Sequence, residues 1–119
     1  MSKSVVHFEI GCNNLTETSA FYEKVFNWKT TPAGRSAAIE TGDTNSLPGH
    51  LTQLDPDEPQ QYITIYIETD TLEEDLKAVV AHGGERMVDP IELPDGRTFA
   101  WIKDVAGNIV GLITPHVQS

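Results

Sequence analysis

Two stretches decide the fold: Val5-Val6-His7-Phe8-Glu9-Ile10, running into Asn14-Leu15-Thr16-Glu17, and Tyr62-Ile63-Thr64-Ile65-Tyr66-Ile67, running into Thr71-Leu72-Glu73-Glu74. Each is a run with a period of two that gives way to a helix start, and Leu15 and Leu72 hold the same place in each. The alternation puts Val6, Phe8 and Ile10 on one strand face and Val5, His7 and Glu9 on the other. In the second stretch Ile63, Ile65 and Ile67 oppose Tyr62, Thr64, Tyr66 and Glu68. The wholly apolar sets are expected to pack on helices, and the mixed sets to face a cavity.

Working outward, Asn14 with Glu17 is an N-cap signal, and Leu15, Ser19, Tyr22, Val25 and Phe26 make one helical stripe. Thr71 with Glu74 reads as a second capping box; Leu72, Leu76, Val79 and Val80 line that helix, and Gly83-Gly84 closes it. The echo continues downstream. Gly34-Arg35-Ser36-Ala37-Ala38-Ile39 answers Gly96-Arg97-Thr98-Phe99-Ala100-Trp101-Ile102, and Gly49-His50-Leu51 answers Gly107-Asn108-Ile109. Each copy therefore reads β-α-β-β-β. The first module spans 1–54, a linker rich in proline and acid spans 55–61, and the second module spans 62–119 of a single domain. The expected class is α+β, with two modules forming a curved mixed sheet around a central pocket, set within one chain or across a dimer.

Composition narrows the function. The 119 residues carry a net charge of −10, with 8 Lys and Arg against 18 Asp and Glu, so nucleic acid and anionic membrane are disfavoured as partners. No apolar run approaches the roughly 20 residues a bilayer span needs. Met1-Ser2-Lys3-Ser4 leads straight into a strand, with no secretory signal pattern. Cys12 stands alone, which excludes an internal disulfide and suits a cytoplasmic protein. Nucleotide-loop, dinucleotide-fold and cysteine-pair zinc motifs are absent from the sequence.

With these elements in place, the chain resembles the vicinal oxygen chelate superfamily, the group of glyoxalases, bleomycin-resistance proteins and extradiol dioxygenases. The resemblance is carried by Val6-His7-Phe8-Glu9-Ile10, by Ala20 to Trp28 with its Phe21-Tyr22 and Asn27-Trp28, by Gly83-Gly84, and by Ala100 to Leu112 with Asp104 and Gly107-Asn108. It implies the paired-module fold, a small-molecule ligand and a homodimer. Metal enzymes of the group hold a divalent ion at four positions on the first and last strands of the modules. Carried onto this chain, those positions are His7, Gln53, Thr64 and Gly111. One imidazole with an amide, a hydroxyl and a glycine is a poor set for a transition metal, so no metal and no cofactor is expected.

The candidate site residues follow. His7 and Glu9 share the pocket face, and an imidazole beside a carboxylate can work as an acid–base pair; the plain alternative is that they merely pair with neighbouring strands. Gln53, Tyr62, Thr64, Tyr66, Phe99 and Trp101 are expected to contact the ligand, the aromatics as an apolar box or else as core. His50 is placed only at the pocket rim, because alternation sends it to the face opposite Gln53. Arg35 and Arg97 read as surface ion pairs, and His82 as the end of a helix. Three functions compete: a metal-free small-molecule binder, of which a drug-binding resistance protein is the strongest variant; a glyoxalase-like lyase or isomerase, metal-dependent or using His7 and Glu9; and a regulatory module with a vestigial pocket.

Overall fold

A computed structural model describes residues 3–43, 45–57 and 62–116; residues 58–61 of the expected linker lie outside the described residues. The class is α+β, and the order of elements is β-α-β-β-β twice over. The chain forms two compact units, His7–Thr64 and residues 3–6 with 65–116, each described by itself below.

The first unit holds β1 (Val5–Cys12, apart from its first two residues), α1 (Leu15–Phe26), β2 (Lys29–Ala33), β3 (Ser36–Glu40) and β4 (Gly49–Gln53). Its strands lie in the order β2-β3-β4-β1, antiparallel except for the parallel pair β1 with β4. Asn14 starts α1 from an extended conformation, its side-chain oxygen accepting from the Glu17 N–H at 3.0 Å. Asn27 ends it at φ 61, a left-handed position that asparagine tolerates. Ile10, Ala37, Ile39 and Leu51 are buried beneath Leu15, Tyr22 and Trp28, with Phe8 beside them. Trp28 stacks on Tyr22 at 4.8 Å between centroids and 7° between planes.

The second unit repeats this with β5 (Tyr62–Glu68, its last four residues), α2 (Leu72–Ala81), β6 (Glu85–Glu92), β7 (Thr98–Lys103) and β8 (Ile109–Ile113). The order is β5-β8-β7-β6, again with one parallel pair, β5 with β8. Leu72 and Leu76 of α2 bury against Ala100, Ile102 and Leu112, with Ile67 and Val79 partly buried alongside. The helix closes as a Schellman motif: Gly83 N–H bonds Val80 O and Gly84 N–H bonds Val79 O, with Gly83 at φ 97. Residues 3–6 belong here, Lys3 lying 3.8 Å from Asp75 and Ser4 O accepting from Glu68 N–H.

Four expectations change. Thr71 makes no side-chain cap; its hydroxyl turns to Asp75 Oδ1 at 3.2 Å, while Thr69 Oγ1 accepts from the Thr71 N–H. Ile63 and Ile65 are 72% and 39% exposed, and only Ile67 reaches the α2 core. Val25 and Phe26 are exposed and α1 has no buried residue, so its working stripe is Leu15 and Tyr22. The repeat is also out of step at its end. Glu9 pairs with His50 as Tyr66 pairs with Gly111, so Gly49-His50-Leu51 is answered by Val110-Gly111-Leu112.

Candidate functional site

The parallel pairing of β1 with β4 sets Glu9 directly across from His50. Leu51 takes the helix-facing core, so His50 turns to the other face, where alternation also sends His7 and Glu9. There a chain of polar side chains forms. His7 Nε2 lies 2.6 Å from His50 Nδ1, and the two rings are 4.9 Å apart and tilted by 32°. His50 Nε2 lies 3.2 Å from Glu9 Oε1, and the hydroxyl of Tyr62 donates to Glu9 Oε2.

Glu9 is the anchor of this chain. Its residue is only 4% exposed, whereas the His50 side chain is 27% exposed. A carboxylate withdrawn from water needs hydrogen-bond donors, and the phenol and imidazole supply them. Gly11 makes room for the phenol, since a Cβ there would stand 2.7 Å from the Tyr62 ring. An open groove of about 480 Å³ borders the same tyrosine, lined by Ile10, Cys12, Thr18, Tyr22 and Ile63 among others. A second cavity, about 400 Å³, is bordered by Ile39, Gly42, Ser46 and Pro48 among others, and neither cavity has His7, His50 or Glu9 among its lining residues.

The other expected site residues fall into different settings. Gln53 is tied to backbone: its Oε1 accepts from Leu15 N–H at 2.9 Å, and its Nε2 donates to Asn13 O and Leu54 O. It shares the Leu51 parity and fixes the start of α1. Thr64 is buried at 3% exposure. In the second unit Tyr66, Phe99 and Trp101 do cluster. Trp101 Nε1–H donates to Tyr66 Oη at 2.8 Å, and Phe99 meets Tyr66 edge-on at 6.4 Å. Arg35 pairs with Asp55 at 2.6 Å and Arg97 with Asp95 at 2.9 Å, both as surface ion pairs. Alternation counted from Gln53 puts His50 at the rim, whereas the pairing puts it on the His7 face. Giving Leu51, the apolar residue between His50 and Thr52, to the core would have brought His50 onto the His7 face.

The donors at the metal positions can now be weighed by chemistry. The register replaces Gln53 by His50 as the last-strand residue of the first module, leaving two imidazoles, a threonine and a glycine. The His7 and His50 nitrogens stand at 2.6 Å, whereas two nitrogens on one tetrahedral zinc stand about 3.3 Å apart. Gly111 offers no donor, and the Tyr66 ring occupies the place where its side chain would begin. Among the described residues no three His, Cys, Asp or Glu are grouped to hold a metal ion.

The profile of the Glyoxalase/Bleomycin resistance protein/Dioxygenase superfamily matches residues 4–112, and the chain belongs to that superfamily. No curated protein sequence matches it. Among solved structures it is similar to a hypothetical protein from Bacillus halodurans, at TM-score 0.71 and 18% identity over 100% of this chain and 99% of that one. A Streptomyces coelicolor methylmalonyl-CoA epimerase variant, in complex with 2-nitronate-propionyl-CoA, superposes at 0.67 and 19% identity, covering 98% and 100%. The methylmalonyl-CoA epimerase of Mycobacterium tuberculosis follows at 0.67 and 15%, covering 97% and 92%. At these identities the likeness speaks for the fold. No helix of the described residues is long and apolar enough to cross a membrane.

Proposed function

We propose that this chain binds a small carbon acid and moves its proton without a divalent ion, as a lyase or isomerase in which His7 is the base and Glu9 supports it from behind. The observation that carries the reading is the hydrogen-bonded run from buried Glu9 through His50 to His7. An imidazole backed by a carboxylate is held in orientation and its cation is stabilised, which is what general acid–base catalysis requires. The solved neighbours named as epimerases support this choice of chemistry. Inverting a carbon centre that bears hydrogen needs a proton to leave and return. The misfit of the metal donors supports a degenerate metal site, so the proton transfer is assigned to side chains alone.

The test is deuterium exchange. The protein, freed of metal by chelator, is incubated in D2O with a panel of thioesters, 2-oxo acids and 1,3-dicarbonyl compounds, and isotope uptake is read by mass spectrometry. Uptake that survives chelator and disappears in His7→Ala is the expected result. Uptake that needs an added divalent ion would overturn the metal-free reading. A compound that raises the melting temperature yet exchanges no proton would leave a binder without chemistry.

The same reading places the protein in the cytoplasm, on the lone cysteine, and pairs it as a homodimer. Phe21, Val25 and Phe26 of α1 are each more than half exposed, an apolar face that a second copy would cover. Sedimentation at micromolar concentration should give twice the 13.1 kDa chain mass; a single 13.1 kDa species would exclude the pairing.

A further inference from the structure

Two contacts at Glu9, with Tyr62 and with His50, each have a defined donor, and we infer that Tyr62, Glu9 and His50 together fix Nδ1 of His7 as the atom that takes the ligand's proton. The catalytic role rests on the proton-transfer reading above; the placement of the protons does not. An ionised carboxylate only accepts. Glu9 Oε2 accepts from the Tyr62 hydroxyl, and Oε1 faces His50 Nε2 at 3.2 Å, so Nε2 of His50 carries hydrogen. A neutral imidazole has one N–H, which makes Nδ1 of His50 an acceptor. That acceptor stands 2.6 Å from His7 Nε2, so Nε2 of His7 is the donor and Nδ1 of His7 holds the lone pair.

The order of protons gives the step its balance. When the ligand's C–H breaks, its electron pair stays on the ligand and the proton bonds to His7 Nδ1. The proton on His7 Nε2 then passes to His50 Nδ1. His7 is left neutral with its hydrogen on Nδ1, ready to return it, and the positive charge lies on His50 beside the Glu9 carboxylate. Burial of Glu9 strengthens that attraction. Tyr62 holds the second carboxylate oxygen and keeps the first turned to His50. His50 and Tyr62 are thus positioning residues, acting through His7.

Long-range ¹H–¹⁵N correlation spectra of the labelled intact protein at neutral pH read the tautomers directly, with no ligand. The expected pattern is one tautomer at each ring, hydrogen on Nε2 of both His7 and His50. His50→Phe removes the acceptor, so His7 should show both tautomers, while the amide oxygen in His50→Gln should restore the wild-type pattern. Exchange of the carbon acid should fall at least about tenfold in His50→Phe and stay below wild type in His50→Gln, whose amide restores the tautomer but cannot take the proton. Hydrogen on Nδ1 of His7 in the wild type, or mixed tautomers there, would overturn the relay whatever the variants do. The two readings fail separately. The expected tautomers with no exchange from any carbon acid would remove the proton-transfer function and keep the relay. Exchange lost in His7→Ala with mixed tautomers would keep the function and remove the relay.

Discussion

The pair Glu9 with His50 in the first module and the pair Tyr66 with Gly111 in the second stand at the same point of the same topology, and their chemistry is opposite. One is a buried acid against an imidazole. The other is a ring lying on a bare backbone, its hydroxyl held by Trp101. The neighbours diverge in step: His7 corresponds to Thr64, and Ala38, the β3 partner of His50, corresponds to Trp101. On the helix side the same strands agree, with Ile10 across from Leu51 and Ile67 across from Leu112. Packing against a helix admits only apolar residues of about the right size, so that face keeps the repeat. The opposite face carries no such demand and is where the modules became different.

The largest effect expected from this contrast is on chemistry. His7→Ala should slow deuterium exchange by about 10² to 10⁴, the usual worth of a positioned base. Thr64→Ala, the counterpart in the second module, should cost about tenfold or less, because a neutral hydroxyl is a poor base for a C–H proton. Equal losses at both positions, in folded variants of matched stability, would break the assignment of the chemistry to the first module.

Next comes overpacking in the second module. Gly111→Ala puts a methyl group into the Tyr66 ring, which is itself buried and held by Trp101. Its cost should be about 3 kcal/mol, at the upper end of the range for added volume in a packed site. Combined with Tyr66→Ala it should cost clearly less than the two variants separately, since the ring is the obstacle. Urea midpoints with an unchanged m-value provide the measurement. Additive losses would mean that the glycine is required by the backbone instead.

The two hydroxyl-bearing networks can then be ranked. Tyr62→Phe removes a donor from a buried carboxylate and should cost about 2 kcal/mol. Trp101→Phe removes a bond between neutral groups and should cost about 1 kcal/mol through that bond. The reverse order in thermal or urea unfolding would show that Glu9 does not depend on Tyr62 for its charge.

The paired modules were legible because period-two runs, caps and glycine turns are local signals repeated twice. His7 and Glu9 were legible for the same reason: parity along one strand suffices to place both on one face. His50 was not, because its place depends on register between strands far apart in sequence. The repeat matched Gly49 to Gly107 by residue type, whereas pairing matches His50 to Gly111. That slip put Gln53 at the site and His50 at the rim. Tyr62 was read as part of an aromatic box; its hydroxyl bond to Glu9 needs the close approach that Gly11 permits. Ile63 and Ile65 are exposed for a simpler reason, since alternation gives a face but not what covers it.

The smallest effect lies in two turns of the second module. Asp95 is held below the ordinary aspartate value by the Arg97 backbone N–H, with the Arg97 guanidinium adding to it. Asp104 is lowered first by the Asn108 side-chain amide and then by the backbone N–H groups of Asn108 and Ala106, all at 2.9 Å. In both cases the folded value is depressed below the unfolded one. The support these carboxylates give is therefore fully present above the ordinary value of 3.8 and is lost as pH falls through the lower folded values. Asp95 is exposed and Asp104 partly so, and water and salt screen both, so the effect should be a loosening of turns and not unfolding. Carboxyl ¹³C titration should place both midpoints below 3.8, and amide exchange at residues 93–98 and 104–108 should rise only below that pH. Midpoints at or above 3.8, or turns that loosen already at higher pH, would show that these hydrogen bonds do not hold the charged form.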